Sequence, residues 1–319
     1  PLERGGGRPG GGRPRRRGAP RLLEAAGGLR VTTAADDVFA HERRRLLGLA
    51  YRILGSFGDA EDVVQEAWLR WSATDQTAVE RPAAFLTTVV TRLSLDRFRA
   101  IERRREQYLG PWLPEPVSLQ HGPEEHVEMA ESLTLGFLML LDRLNATERA
   151  VWLLADVFGE PYAVIAEAVD KTEAACRQIA SRARRRLREE RPPPGGQLEA
   201  PLLARLLAAV ATGDVGQTLE LLDADVVLVS DGGPGRHAAR RPVVGARRVA
   251  RFVTNIAGRY PDAELELTEI NGSAALVLRA GGMPIVLTGE QQGGRVTRIY
   301  VMLNPDKLRG LSDGPALMD

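Results

Sequence analysis

Residues 161–187 constrain the fold more than any other stretch, because they read as two short helices joined by a tight corner at Asp170-Lys171. Thr172 offers a hydroxyl N-cap to the second helix, and Glu173 lies in its first turn, where the helix dipole favours negative charge. Each helix has an apolar stripe: Val164, Ile165, Ala168 and Val169 in the first, then Ala175, Ile179, Ala183 and Leu187 in the second. The pattern is typical of a helix-turn-helix that inserts its second helix into the DNA major groove. A basic surface helix in an unrelated bundle is the alternative for this stretch alone.

The length of 319 residues predicts two or three domains, and the net charge of +1 conceals blocks of one sign. Such blocks indicate one face for nucleic acid and another for a protein partner. Cys176 is the only cysteine, which excludes an intrachain disulfide and a cysteine-cluster metal site and fits a reducing cytosol. No apolar run reaches the roughly 20 residues of a membrane span. We therefore expect a cytoplasmic protein with no cofactor, no metal and no membrane contact.

Residues 1–35 read as a disordered basic lead, because residues 1–30 carry eight arginines and few apolar side chains. A nucleic-acid-binding arm is possible, but a translation-start artefact with the native start at Val31 is the preferred interpretation.

Residues 36–106 form a first helical domain of three predicted helices. The first ends near Gly55, and Asp59 is expected to cap the second. The third begins at Pro82, a good first-turn residue, and its end is strongly basic. In the second helix we expect an inward-facing set of Val63, Val64, Ala67, Trp68 and Trp71.

Prolines interrupt the helical period after residue 106, so residues 107–126 are predicted to be an extended linker. Helix is expected again from Val127 to Leu144, and residues 127–191 form a second helical domain that ends in the helix-turn-helix. Residues 192–197 are a short linker. The whole is a multidomain fold with two all-α domains before a third.

Residues 198–319 predict a separate α+β domain, in which helices precede an antiparallel meander. Helices are expected at about 198–212, 215–222 and 246–257. The strand-like runs LELTEI, SAALVLRA, MPIVLTGE and RVTRIYVML are separated by Asn271-Gly272, Gly281-Gly282 and Gly293-Gly294.

The order of these parts resembles a bacterial extracytoplasmic-function (ECF) sigma factor. DAEDVVQEAWLRW at 59–71 resembles sigma region 2.2, LTTVVTRLSLDRFR at 86–99 resembles regions 2.3 and 2.4, and residues 144–187 are similar to region 4. GPWLPEP at 110–116, DGG at 231–233 and NPDKL at 304–308 resemble the signatures of the ECF41 (SigJ-like) group. This resemblance implies a C-terminal SnoaL-like domain with the NTF2-like cone fold.

The acidic second helix is the predicted polymerase-binding element. A row of carboxylates suits docking on an arginine-rich surface, and the resemblance implies that the surface is the β′ clamp helices of core RNA polymerase. For region 4 it implies the β flap. A solvated acidic face is the alternative. The candidate polymerase-binding residues are Asp62, Gln65, Glu66 and Trp68.

Promoter DNA is the second implied partner. The resemblance puts the pocket for an unstacked −10 base in the loop from Ala73 to Arg81, with Thr74, Asp75 and Gln76 as candidate contacts. Arg92, Arg97 and Arg99 are candidate phosphate ligands. In the recognition helix, Glu173, Arg177 and Gln178 are expected at −35 base edges, and Arg182 and Arg185 at phosphates. Cys176 is interpreted as a packing residue.

The linker residues Trp112, Leu113 and Pro114 combine an aromatic anchor with stiff flanks. One interpretation threads them toward the polymerase active-site channel, and the other clamps them under the C-terminal domain. The candidate regulatory contacts in that domain are Asp231, Gly232 and Gly233, together with the tail residues Asn304, Pro305, Asp306, Lys307 and Leu308.

The C-terminal domain is expected to regulate in cis, not to act as an enzyme. Its candidate acids and bases, Asp231, His237, Asp262 and Glu290, have no spacing that defines a catalytic set, and His237 is expected to be exposed. The prediction is thus an alternative sigma factor that directs polymerase to −10 and −35 elements. The second hypothesis is a SnoaL-like enzyme or ligand sensor fused to a DNA-binding helix-turn-helix.

Overall fold

The computed structural model describes residues 34–106, 108–118, 133–189, 196–234, 236–280 and 283–312. The predicted basic lead before Ala34, the expected helix start at 127–132 and most of the short linker at 192–197 lie outside the described residues. No helix among the described residues is long and apolar enough to cross a membrane.

Three helices form the first helical unit, as the periodicity predicted: α1 (Ala34–Leu54), α2 (Phe57–Ser72) and α3 (Pro82–Arg105), with a 3-10 turn at Gln76–Ala78. The N-cap prediction for α2 was wrong. Ser56, not Asp59, has the extended backbone of an N-cap, and its hydroxyl accepts a hydrogen bond from the Asp59 amide. The prediction that Trp68 faces inward was also wrong. Trp68 lies at the edge of the apolar stripe that Trp71 completes, and 40% of the residue is exposed.

The second helical unit contains α4 (Leu135–Leu141), α5 (Ala146–Trp152), α6 (Tyr162–Val169) and α7 (Glu173–Glu189), with a π-helical turn at Leu153–Val157. Within the described residues the helix predicted from 127 to 144 begins only at Leu135. Thr134 is extended there, and its hydroxyl accepts a hydrogen bond from the Phe137 amide. Asn145 and Glu148 then form a capping box for α5.

The helix-turn-helix formed by α6 and α7 follows the sequence closely. All four predicted apolar residues of α6 are buried, and Asp170 at the corner adopts the left-handed conformation with φ of 53°. The Thr172 hydroxyl accepts a hydrogen bond from the Ala175 amide at 3.2 Å. Ala175 itself is only half-buried. Because 3.6 residues make a turn, the buried stripe runs through Cys176, Ile179, Ala180, Ala183 and Leu187.

The C-terminal part has the α+β architecture that the sequence predicted. Its helices are α8 (Ala200–Ala211), α9 (Val215–Leu221), α10 (Ala246–Ala257) and the single turn α11 (Arg309–Ser312). Its strands are β1 (Gly196–Gln197), β2 (Leu222–Asp231), β3 (Val243–Val244), β4 (Glu264–Ile270), β5 (Ser273–Ala280), β6 (Met283–Gln292) and β7 (Arg295–Met302).

The strand order is β3-β2-β7-β6-β5-β4, with β1 paired to β6. The meander from β4 to β7 is antiparallel as predicted. The sheet as a whole is mixed, because β2 pairs in parallel with β7. Parallel strands need a crossover connection, and here the chain passes through α10 and the whole meander before β7 returns to β2.

Both faces of this sheet are covered, one by the helical units and the other by α8 and α10. Strand residues alternate between the two faces. Ala275 and Val277 belong to the large core that includes both helical units, and Ala274 and Leu287 pack on the smaller core under α8 and α10. The first face positions the functional site.

Candidate functional site

The acidic face of α2 is open to solvent. Asp62, Gln65 and Glu66 are exposed beside the half-exposed Trp68. Two of the carboxylates are already paired within the first helical unit. Glu66 binds Arg70 one helical turn away at 2.6 Å, and Asp62 binds Arg97 of α3. Asp62, a candidate polymerase-binding residue, is therefore paired with Arg97, a candidate phosphate ligand.

The candidate −10 loop is exposed and is stabilised by its own side chains. Asp75 accepts hydrogen bonds from the amide and hydroxyl of Thr77, and these bonds lower the Asp75 pKa. Thr74 donates to the Arg70 carbonyl oxygen at 2.7 Å, and Gln76 donates to the Trp71 carbonyl oxygen at 3.4 Å. These hydrogen bonds define the shape of the loop.

The three candidate arginines of α3 point in different directions. Arg97 pairs with Asp59 at 2.9 Å as well as with Asp62, and Arg99 pairs with Asp96. Arg92 donates to the Glu167 carbonyl oxygen in α6 at 2.7 Å. Arg92 therefore joins the two helical units.

The recognition helix α7 presents its predicted base-reading residues to solvent. Glu173, Arg177 and Gln178 are exposed, and so are Arg182 and Arg185. Arg177 binds Glu173 at 2.6 Å and stacks over the Tyr162 ring at 5.0 Å. These two contacts hold its guanidinium near the N-terminus of α7.

The two helical units pack directly on each other through α3 and α6 and through polar bridges. Arg45 of α1 binds Glu160 at 2.8 Å and the Thr87 hydroxyl at 2.6 Å. Arg149 of α5 is 1% exposed and donates to the Ile53 carbonyl oxygen at 2.7 Å. These bonds fix the second unit against the first.

Asp142 is the charge partner of this junction. It accepts hydrogen bonds from Arg149 and from Arg105, the last residue of α3. Burial alone would raise the pKa of Asp142, but the two guanidinium groups outweigh burial and lower it. Arg105 also stacks over the Trp112 ring at 4.9 Å, which connects the junction to the linker.

The linker at 110–118 runs extended between the first helical unit and the C-terminal sheet. Glu115 accepts hydrogen bonds at the N-terminus of α2, from the Phe57 amide at 2.8 Å and from the Ser56 hydroxyl at 3.1 Å. Its main-chain carbonyl oxygen accepts from the Tyr51 hydroxyl at 2.7 Å. Burial raises the Glu115 pKa.

Asn271 holds the other side of the linker. It lies in the β4–β5 turn with φ of 49° and is completely buried. Its side-chain oxygen accepts from the Val117 amide at 3.0 Å, its own amide donates to the Val117 carbonyl oxygen at 3.0 Å, and its side-chain amide donates to Tyr51. Ser118 then pairs with Ile270 as one bridge of an antiparallel strand.

Asp231, at the end of β2, is the centre of the strongest linker contact, which we call the latch. Its Oδ2 accepts from the Leu113 amide at 2.9 Å and from the Lys307 ammonium at 2.7 Å. Its Oδ1 accepts from the Tyr108 hydroxyl and from the Gly233 amide. Asp231 is completely buried, so these donors replace water around the carboxylate.

Lys307 joins the tail to the linker. Its ammonium donates to the Leu113 carbonyl oxygen at 2.5 Å and lies over the Trp112 ring, 3.5 Å from the centroid. Burial lowers the Lys307 pKa to about 8, against the opposing effect of Asp231. Asn304 donates to the Tyr108 hydroxyl at 2.9 Å.

The remaining latch candidates shape the contact through packing and backbone geometry. Leu113, Pro114 and Leu308 are buried, and Pro305 and the exposed Asp306 begin the 3-10 turn that carries Lys307. Gly232 and Gly233 leave no room for a side chain. A Cβ on Gly232 would meet the Ala238 Cβ at 2.8 Å, and one on Gly233 would meet Asn304 at 2.6 Å.

A second contact joins α4 to the sheet at Gly136. A Cβ there would lie 1.5 Å from the Glu290 Oε1 atom, so only glycine allows α4 to approach β6 this closely. Glu290 is largely buried and accepts from the Tyr300 hydroxyl at 2.9 Å. Burial raises the Glu290 pKa.

Sequence reasoning missed four residues that hold the linker or the helical junction: Tyr108, Glu115, Arg149 and Asn271. Asn271 carried a signal only as a turn residue, and Tyr108 and Glu115 lay in a segment read as linker. A buried arginine such as Arg149 has no local signature.

The candidate acids and bases do not converge: Asp231 is in the latch, Glu290 faces α4, and His237 and Asp262 are exposed, as expected for His237.

Comparison with known proteins accounts for this arrangement. Residues 38–105 match the family model for Sigma-70 region 2, and residues 135–187 match that for Sigma-70 region 4. The chain is 37% identical over 287 residues to the ECF RNA polymerase sigma factor SigJ of Mycobacterium tuberculosis strain H37Rv, covering 84% of this chain and 91% of that protein.

Two further similarities agree. The probable ECF RNA polymerase sigma factor SigI of the same organism is 31% identical over 274 residues, covering 83% of this chain and 92% of the relative. The crystal structure of M. tuberculosis SigJ superposes with a TM-score of 0.69 at 33% identity, covering 86% of this chain and 98% of that structure. The chain therefore belongs to the extracytoplasmic-function family of RNA polymerase sigma factors.

Proposed function

We propose that this sigma factor directs core RNA polymerase to promoters under the control of its own C-terminal domain, which holds the two helical units together through the linker. The observation that carries the proposal is the buried Asp231, which binds the Leu113 amide of the linker and the Lys307 ammonium of the tail. One carboxylate thus ties three distant parts of the chain together.

The promoter itself requires the units to separate. The −10 and −35 elements are about 25 base pairs apart, which is roughly 80 Å along B-form DNA. The recognition helix Glu173–Glu189 is only about 25 Å long at 1.5 Å per residue. Because Arg45–Glu160 and Arg92–Glu167 hold the two units in direct contact, we infer that the packed arrangement is the closed member of a two-state pair and that the units separate on the promoter.

In the open state we assign the partners as follows. The exposed face with Asp62, Gln65, Glu66 and Trp68 binds the β′ clamp helices, and the second helical unit binds the β flap. The loop with Thr74, Asp75 and Gln76 receives a −10 base, and Glu173, Arg177 and Gln178 read the −35 element. Arg92, Arg97, Arg99, Arg182 and Arg185 bind phosphates. The protein acts in the cytoplasm, where polymerase is.

This assignment requires rearrangement at two places. Arg92 must leave the Glu167 carbonyl oxygen before it can bind a phosphate, and Asp62 must exchange Arg97 for a polymerase arginine. Both bonds are exposed and exchange easily with water or a partner. The buried bonds of the latch cost more to break, so the latch is the control point.

The C-terminal domain regulates and does not catalyse in this proposal. The Asp231 carboxylate accepts hydrogen bonds from the latch donors, and Glu290 accepts a hydrogen bond from Tyr300 at the α4 contact. His237 and Asp262 lie exposed and apart from both.

The test is initiation from a defined promoter by purified chain and core polymerase, with the full chain compared with a chain ending at residue 195. We expect initiation by the full chain and a changed level with the shortened one. No initiation by either would contradict the sigma function. Equal initiation would contradict regulation in cis.

A further inference from the structure

A cavity of about 470 Å³ lies in the C-terminal domain, between α8, α10 and the sheet face that turns away from the helical units. Leu206 of α8, Phe252 and Ile256 of α10, and Leu276 and Leu287 of the sheet line it. This volume is within the range of small-molecule sites in proteins, which is about 300–1,000 Å³. None of the residues that line the cavity belongs to the latch.

The chemistry of the lining restricts what can enter. Among the described residues, the lining contains no Asp, Glu, His, Lys, Arg or Cys, and its side-chain polar groups are the Thr254 hydroxyl and the Tyr260 phenol. An ionised ligand would lose its water and gain no counter-charge there. The Thr254 hydroxyl is shielded from solvent and has no hydrogen-bond partner in the described part of the chain.

We propose that this cavity binds one neutral, largely hydrocarbon small molecule with at most one or two hydroxyl or carbonyl groups. The leucines, Phe252 and Ile256 supply the apolar surface. A ligand that reached the shielded Thr254 hydroxyl would meet a hydrogen-bonding group that has no partner among the described residues. The absence of acids and bases from the described lining makes it a binding site and not a reaction site.

Two chain segments that lie outside the described residues, 119–132 and 313–319, are poor occupants of such a cavity. Residues 119–132 carry four glutamates and two histidines, and residues 313–319 carry two aspartates. Their charges would have to be desolvated without partners. For a second copy of the chain, the described residues beside the cavity offer a narrow apolar strip formed by Leu265 and Leu267 of the edge strand β4, which are 58% and 52% exposed.

The cavity and the latch lie on the same strand. Leu228 of β2 lines the cavity, and Asp231 follows three residues later at the latch. The ligand is therefore placed to influence the latch, but the binding site itself does not depend on the proposed regulation. It is tested on the protein alone, without polymerase or DNA.

The experiment is titration of the full chain with N-phenyl-1-naphthylamine, a neutral probe that fluoresces in apolar surroundings. We expect saturable binding of one probe per chain. We also expect displacement by 1-dodecanol at a concentration at least tenfold lower than by dodecanoate, since only the alcohol is uncharged at pH 7.5.

Two variants on α10 locate the site. Ala257→Trp fills the cavity and should weaken probe binding at least tenfold, whereas Asn255→Trp adds the same side chain to the exposed face of the helix and should leave binding unchanged. Thr254→Val keeps the side-chain shape and should weaken displacement by dodecanol about threefold to tenfold without changing probe binding. Circular dichroism confirms that each variant folds.

Several outcomes would overturn the proposal. They are no saturable binding, equal binding by the chain with Ala257→Trp, or equal displacement by alcohol and carboxylate. Binding that appears only in a chain ending at Ser312 would identify the tail as the occupant. A dimer in sedimentation that binds the probe only on dissociation would identify a second copy.

Discussion

The Lys307 ammonium lies 2.7 Å from the Asp231 carboxylate in a site where both side chains are buried. The same ammonium donates to the Leu113 carbonyl oxygen, so one ion pair closes the C-terminal domain over the linker. Taking two charges out of water costs free energy that only good geometry and additional hydrogen bonds return. The pair therefore favours one specific closed arrangement.

Replacing Lys307 should open the latch. Lys307→Met leaves Asp231 buried without its cation, a change that costs about 3–5 kcal/mol in comparable buried pairs. We expect residues 108–118 to become accessible to limited proteolysis and the level of initiation from a promoter to change. Arg309→Met is the control, because Arg309 is exposed and, among the described residues, forms its ion pair with the exposed Asp306. Unchanged proteolysis of the Lys307 variant would contradict the latch.

A methyl group at Gly136 should separate α4 from the sheet. Gly136→Ala places a Cβ against Glu290, and overpacking of this kind typically costs about 1–3 kcal/mol. The double variant Gly136→Ala with Glu290→Ala should recover most of the lost stability in denaturant unfolding. Gly58→Ala is the matched control in helix α2, because its Cβ would meet nothing within 4 Å. A double variant no more stable than Gly136→Ala alone would argue against the contact.

Stability should depend on pH through Glu290. Burial raises the pKa of Glu290 above its unfolded value of 4.5, so the folded state holds the proton more tightly. The stabilisation is complete below pH 4.5 and is lost as pH rises through the folded pKa. Glu290→Gln should therefore raise the melting temperature relative to the parent chain at pH 7, with the gain shrinking toward pH 4.

The measurement is thermal unfolding from pH 4 to pH 8. Asp262→Asn removes an exposed carboxylate and controls for the change in net charge. A gain that stays the same across this range would show that the Glu290 carboxylate is not the cause.

Arg177 and Arg185 should differ in what they contribute to DNA binding. Arg177→Ala should relax the preference at one −35 position by about 1–3 kcal/mol, as expected for a base contact. Arg185→Ala should weaken binding to all DNA sequences alike, and the salt dependence of binding should fall by about one phosphate contact. Competition between promoter variants for the polymerase complex at two salt concentrations measures both. A uniform loss with Arg177→Ala would rule out base reading.

Substitutions at the two tryptophans of α2 should have different effects, one on polymerase binding and the other on stability. Trp68 is 40% exposed, so Trp68→Ala should reduce affinity for core polymerase and should cost clearly less unfolding free energy than the same change at Trp71. Trp71 is 2% exposed, and Trp71→Ala should cost about 3–5 kcal/mol of stability. Chemical denaturation and polymerase pull-down distinguish the two. Normal polymerase affinity of the Trp68 variant would remove it from the interface.

The sequence predicted best where structure depends on residues a few positions apart. The apolar faces of α6 and α7, the Thr172 cap and the Asp170 corner all follow from helical period and local hydrogen bonds. Prediction from sequence was less reliable where two nearby residues fitted the same structural role. Ser56 and Asp59 could both cap α2, and Trp68 and Trp71 both fitted the apolar stripe, because a few degrees of helix rotation decide which side chain is covered.

What the sequence determined by itself was the identity of the helical units and, by resemblance, the motifs around Trp112, Asp231 and Lys307. What those motifs contact was decided only by tertiary structure. Asp231 meets an amide 118 positions before it and an ammonium 76 positions after it, and Asn271 meets Tyr51 across 220 positions. A single sequence carries no local signal for such pairings, because they arise only when the sheet and the helical units bury the linker between them.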